Sequence, residues 1–177
     1  MKKIICWVVA FMGMIILLPF IAFGAYFSLE IQPRIGDIRA VLATADKENL
    51  KPPQKVKDLI RVSVQPSGFV ARLLVSTYQK NENGVVRDRK SRLIAWYIFV
   101  DNFYSQEEVF ALFCTFVDNG DGQGLNELSI RRFGRPISEL SELEAAELVA
   151  YVWAPGYMGR SRERLEKRRD LLIERTR

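Results

Sequence analysis

The stretch Ser105-Gln106-Glu107-Glu108-Val109-Phe110-Ala111-Leu112-Phe113-Cys114-Thr115-Phe116 combines a helix start with a core-facing run. Ser105 with Glu108 three positions later forms a capping-box pattern. The serine hydroxyl oxygen accepts from the Glu108 amide and the glutamate accepts from the Ser105 amide, so two donors left unpaired at a helix start are satisfied. Behind this cap, Val109, Leu112, Phe113 and Phe116 recur three and four apart, which predicts a helix from Gln106 with a packed stripe.

Working outward, the same grammar repeats. Ser141 and Glu144 make a second capping box, followed by Leu143, Ala146, Val149 and Trp153 along one expected inner side, and Ala154-Pro155-Gly156 stops that helix. Between the two boxes, Gly120, Gly122 and Gly124 form a tight loop ahead of a helix from Leu125 to Phe133, which Gly134-Arg135-Pro136 closes. Ser161 caps a last helix, Arg162 to Arg175, with Leu165 and Leu172 inward and Glu163, Glu166, Asp170 and Glu174 spaced as ion-pair partners among its bases. Upstream, Val56, Leu59 and Ile60 recur at helical spacing, and Ser63 to Gly68, with Pro66 and Gly68, reads as a break. Phe69 to Tyr78 suits helix or strand and is assigned helix. Asn81-Glu82-Asn83-Gly84 is a turn, and Arg87 to Val100, with Trp96 and Tyr97, is expected to be a buried, central helix. The fold class is all-α.

Towards the N-terminus, no charged side chain occurs from Ile4 to Phe27, and roughly 20 apolar residues suffice for a helix to cross the hydrocarbon layer. Residues 1–29 are therefore expected to be one transmembrane anchor. Residues 30–53, with Pro33, Gly36, Pro52 and Pro53 around a short helical pattern (Ile35, Ile38, Leu42), read as a connector, and 54–177 as the domain. Lys2 and Lys3 precede the apolar run, so the N-terminus is expected to be cytoplasmic and the domain extracytoplasmic. The rival reading is a cleaved signal peptide, for which Ala22-Phe23-Gly24 imitates a cleavage site, but such apolar cores run only about 7–15 residues.

Composition narrows the chemistry. With no histidine in the chain, mechanisms that need an imidazole base or a His-ligated metal are excluded. Cys6 lies in the apolar stretch and Cys114 in the quoted helix, so both are expected to be buried and inert. Asp118 and Asp121 suggest a calcium loop, yet the alternating ligands and closing glutamate are out of register. No metal, cofactor or nucleic-acid partner is expected. Basic residues outnumber acidic ones in the last helix, and the positive charge of the chain is weighted towards this end. That helix suits anionic headgroups or an acidic partner, although a solvated, ion-paired face explains it as well.

From Ser105 onward the ordered motifs resemble the peptidoglycan glycosyltransferase domain, glycosyltransferase family 51, which is helical and lysozyme-like. Ser105 to Thr115 is similar to the family's S-K-E-E-I-L-x-x-Y-L-N, and Gly120 to Leu128 to its glycine loop with one residue missing. Arg132-Phe133-Gly134-Arg135 resembles Y-F-G-K, Ser138 to Ala150 resembles S-E-L-T-L-A-E-A-A-L-L-A, and Trp153-Ala154-Pro155-Gly156 resembles Q-A-P-S. The closing run from Arg164 looks like A-L-E-R-R-N-L-V-L-D-R-M. Upstream, Lys51-Pro52-Pro53-Gln54 and Val56 to Val64 look like the L-P-P-E-L-x-x-A-L-V-A-V-E-D lead-in.

The resemblance implies a truncated lysozyme-like domain behind one membrane helix, and places the family's two catalytic glutamates on Ser63 and Leu93. Neither residue can take a proton from an acceptor hydroxyl near neutral pH. Arg89 and Lys90 remain from the signature R-K-x-x-E and, with Arg72, are the residues it implies for ligand contact; a guanidinium suits phosphate. The expectation is a non-catalytic binding or scaffolding subunit in the bacterial inner membrane, facing an envelope protein, a lipid-linked precursor or a glycan. The alternative is an active polymerising or glycan-cleaving enzyme with relocated acids such as Glu82 or Glu108.

Overall fold

The computed structural model describes residues 2–78 and 89–177, without the side chains of 2–6, 8–10, 16 and 89. Among the described residues every regular element is helical, and the only β-type pairing is a single bridge between Asp118 and Gln123. The expected turn at Asn81–Gly84 and the first residues of the helix expected from Arg87 lie outside them. The chain divides into two compact units, Met1–Ala40 and Val41–Arg177.

The first unit holds α1 (Lys2–Tyr26), a π-helical turn (Phe27–Ile31) and most of α2 (Gln32–Thr44). One helix here is long and apolar enough to cross a membrane, and its apolar window is unburied by protein. Trp7, Phe11, Leu17, Leu18 and Phe20 all stand exposed, an arrangement that water penalises and a lipid interior does not.

The second unit carries α3 (Lys47–Leu50), α4 (Gln54–Ser63), α5 (Pro66–Tyr78), α6 (Arg89–Phe103), α7 (Gln106–Phe116), α8 (Leu125–Phe133), α9 (Glu142–Val152), α10 (Pro155–Met158) and α11 (Arg162–Thr176). Helix α7 starts on the capping box read from sequence: the Ser105 N–H donates to Glu108 at 2.7 Å, and the Glu108 N–H donates to the Ser105 hydroxyl at 3.3 Å. The enclosure goes further than a stripe, since Val109 through Phe116 are all buried. Helices α5, α3 and α8 pack around α7, while α9 packs against α4, α11, α8 and α10. Cys114 lies inside α7 as a free, buried thiol, and burial pushes its ionisation far above the ordinary range.

Three local expectations need correction. The break expected over Ser63–Gly68 is only Val64 and Gln65, because Pro66 opens α5, where its missing N–H leaves no helical bond unmade. The Gln65 side chain caps this start by accepting from the Gly68 N–H at 2.8 Å. Helix α6 is not central. It packs mainly on α5, burying Ala95, Trp96, Phe99 and Val100 and leaving Ile94 61 % exposed on the opposite side. In α9 the inner surface is Ala145, Ala146, Leu148, Val149, Ala150 and Val152, whereas Leu143 is 50 % and Trp153 42 % exposed. The alanines let α4 and α11 approach α9, and the larger two side chains are turned out.

Polar side chains tie the helices together. Glu147 of α9 accepts from Arg132 of α8 at 2.9 Å and lies 3.9 Å from Arg169 of α11, with all three largely shielded. Buried Asn49 accepts from the Asn126 N–H at 2.9 Å and donates to Glu127 at 3.0 Å, joining α3 to α8. The Glu147→Ala change removes the carboxylate that pairs with shielded Arg132 and leaves Arg169 with Asp170 alone, so it should lower stability by about 1–3 kcal/mol; denaturant unfolding of the purified chain measures this.

The Glu144 carboxyl is held down at about 2, first by the Ser141 hydroxyl, then by the Ser141 amide and Arg135. A carboxyl depressed on folding stabilises fully above its unfolded value and loses that contribution as pH falls through its folded one. The advantage of the native chain over Glu144→Gln should therefore be present at pH 7 and close as pH falls from about 4.5 to about 2, read as the difference in thermal midpoints.

Candidate functional site

Helix α4 ends at Ser63 because Val64 turns extended, and α11 passes that end. There the Arg168 Nη2 donates to the Ser63 hydroxyl at 3.2 Å. The Arg168 guanidinium stacks over the Trp153 ring, 4.1 Å from its centroid, and Trp153 is placed there by the C-terminal end of α9. One turn earlier on α11, Arg164 covers Tyr157 in the same way at 4.5 Å. The result is a surface of two exposed aromatic rings, Trp153 at 42 % and Tyr157 at 52 %, each beneath a guanidinium.

Arg168 is an unusual cation. Its Nε is enclosed without a hydrogen-bond partner, and among the described residues no carboxylate forms an ion pair with it. Loss of water around it, and then the nearby Arg175, weaken its hold on the proton relative to an ordinary arginine. The ring and one hydroxyl therefore do the work that a carboxylate does for Arg132 and Arg169. A hydroxyl that accepts from a guanidinium can position a polar group, but it cannot act as a general base near neutral pH.

Leu93 is half-buried on α6, a hydrocarbon with no proton chemistry. Arg72 is exposed on α5 with its guanidinium 5.9 Å from the Phe69 ring, and Lys90 is exposed on the first turn of α6. The Arg89 backbone opens α6, while its side chain lies outside the described residues, as does Glu82. Helices α5 and α6, which carry Arg72 and Lys90, pack together. Glu108 is committed to the α7 cap, where its carboxylate accepts from the Ser105 amide and hydroxyl at 2.7 and 2.8 Å.

The glycine loop folds onto itself. The Asp118 carboxylate accepts from the Gly120 N–H at 2.8 Å, the Asn119 N–H donates to the Gly122 carbonyl at 3.1 Å, and Asp121 pairs with Arg131 at 2.9 Å. Both aspartates therefore serve the loop and its neighbouring helix, and among the described residues no group of three side chains is arranged to hold a metal ion. Gly120 and Gly124 adopt φ of +94° and +109°, backbone that favours glycine.

The stacked arginines went unread in the sequence although a signal for them exists: Arg164 and Arg168 are four apart and so share a helix face, just beyond two aromatics at a helix stop. The pairing of Arg168 with Ser63 spans most of the domain and leaves no local trace. No protein-family model matches the chain, no curated protein matches it in sequence, and no solved structure matches its fold.

The Arg168 environment yields a direct test. Ser63→Glu supplies a carboxylate to a guanidinium that has none, worth about 1.5–3 kcal/mol for a charged hydrogen bond, against about 0.3–1 kcal/mol for a negative charge at a helix C-terminus. The variant should thus be more stable than the native chain by about 1 kcal/mol, while Ser63→Ala should not be; paired unfolding curves decide it.

Proposed function

We propose that this chain is a membrane-anchored, non-catalytic subunit of the bacterial cell envelope, resembling a shortened, lysozyme-like peptidoglycan glycosyltransferase domain and acting by binding or scaffolding. On this reading α1 spans the inner membrane with the N-terminus in the cytoplasm, and the helical domain works on the outer side. The observation that carries it is Ser63. Where the resemblance would station a catalytic glutamate, a hydroxyl accepts from Arg168, and the second acid position is the hydrocarbon of Leu93. Glu108, the relocated acid that would favour an enzyme, is tied into a helix cap.

A binding role is supported by the face that Trp153 and Tyr157 present. Trp, Tyr and Arg are the residues most enriched where a few side chains dominate protein association, and here they stand as two stacked pairs on rigid helices. An envelope protein is the partner this face fits, with the membrane helix limiting the search to neighbours in the same bilayer.

The experiment has two arms. Purified full-length protein, given a labelled lipid-linked disaccharide, should produce no chain extension. A photo-crosslinker at Trp153 in cells should capture a cell-wall enzyme, and Tyr157→Ala combined with Arg164→Ala should reduce that capture at least about tenfold, the equivalent of one hot-spot residue pair. Chain extension abolished by Glu108→Gln would make the protein an enzyme and sink the proposal. Replacing residues 4–27 by an unrelated anchor should leave the cross-link intact.

A further inference from the structure

Helix α11 turns Leu165 and Leu172 inward and carries much of its outward charge in two lengthwise strips. Positions 164, 168, 171 and 175 follow the four- and three-residue steps that keep side chains on one helix face, and they hold Arg164, Arg168, Leu171 and Arg175. The strip one position earlier holds Glu163, Lys167, Asp170 and Glu174. As far as Glu174, both strips border with Tyr157 a groove of about 860 Å³.

The arginine strip differs from its neighbours in how its charge is met. Arg162 pairs with Glu166, and Arg169 with Asp170 and Glu147, whereas Arg164, Arg168 and Arg175 form no ion pair among the described residues. Arg164 and Arg168 are restrained instead by Tyr157 and Trp153, and stacking on a ring leaves the N–H donors of a guanidinium unused. Of the five donors that Arg168 carries, Ser63 takes one, and the enclosed Nε bonds to none. Arg175 stands close enough to weaken the hold of Arg168 on its proton, so the two add to one local field. Leu171, exposed between them, adds an apolar step to the strip. A carboxylate is the group that takes two guanidinium donors at once and replaces the water that burial has removed.

We infer that the partner meets this face with an acidic peptide segment, laid along α11 so that its carboxylates pair with Arg164, Arg168 and Arg175 and an apolar side chain between them covers Leu171. The inference deepens the scaffolding role proposed above and rests on it. The carboxylate spacings it requires are about 6 Å and about 10 Å, the helical rise over four and seven residues. The strips also select a peptide over a lipid surface. An anionic leaflet is a sheet of like charge, and laid on α11 it would meet Glu163, Asp170 and Glu174 as well as the arginines. A single acidic segment is narrow enough to follow one strip and leave the other to water.

A photo-crosslinker at Leu171 in cells, read by mass spectrometry of the joined peptides, tests this. The captured peptide should belong to the enzyme captured from Trp153 and carry two or more carboxylates beside the joined residue, and changing those to amides should reduce capture at least about tenfold. In vitro, the full-length chain in phosphatidylcholine nanodiscs should bind a labelled helical peptide with glutamates at i, i+4 and i+11, and should bind its glutamine counterpart about tenfold more weakly. The triple reversal Arg164→Glu, Arg168→Glu, Arg175→Glu should exchange that preference for a peptide with lysines at the same positions. Arg175→Gln alters one exposed side chain and serves if the triple variant melts early; it should weaken binding of the glutamate peptide about threefold. Equal binding of the glutamate and glutamine peptides, a joined segment without carboxylates, a lipid adduct, or a second copy of this chain at Leu171 would each overturn the inference. Such a failure with the Trp153 cross-link to a cell-wall enzyme intact leaves the scaffolding role standing. Absence of that enzyme at Trp153 would instead remove the role itself.

Discussion

The second unit is arranged around the enclosure of α7 from Val109 onward. Most helices of small domains bury one side and wet the other, but here Val109 through Phe116 are shut off from water in every direction. The first turn of the helix is exposed, and there the reciprocal bonds of Ser105 and Glu108 satisfy two donors where the segment enters. They engage one carboxylate oxygen of Glu108, which accepts from both the Ser105 amide and its hydroxyl. Tight enclosure further dictates the neighbours: Phe69 from α5 meets Phe113 at 5.2 Å between ring centroids, and Arg61 from α4 lies over Phe110 at 4.9 Å.

Charge is handled in an equally definite way. The last helix is basic, yet it is not a bare cationic field, because Arg169 and Arg162 lean on Asp170, Glu147 and Glu166. Two arginines without a carboxylate partner among the described residues, Arg164 and Arg168, are placed over aromatic rings instead. A guanidinium is planar and weakly hydrated, so this stacking compensates for lost water in a way that a lysine could not match. The basic surplus is thus converted into shape as much as potential.

Much of the helical architecture was legible in the sequence because its signals are local. Both capping boxes, the glycine stop at Gly134 and the serine start at Ser161 act within four residues, and each marks a real boundary. What local pattern could not reveal is which side of a helix meets which neighbour. Leu143 and Trp153 match the α9 stripe as well as Ala145 and Val152 do, and only the approach of α4 and α11 decides between them. Pro66 misled for a related reason, since a proline that breaks a helix and one that begins it look alike without knowing where Gln65 points. The site was less legible than the fold. Ser63, Trp153 and Arg168 come from three separated helices.

The placement of Cys114 has one more consequence. Sealed in α7 and kept protonated by its apolar surroundings, the thiol is chemically silent while the core is closed. Oxidants and alkylating agents meet it only when the centre of the domain opens, so its lifetime as a free thiol is governed by the rarest fluctuation the domain makes. Damage at this position would accumulate as a record of how often each molecule has come apart.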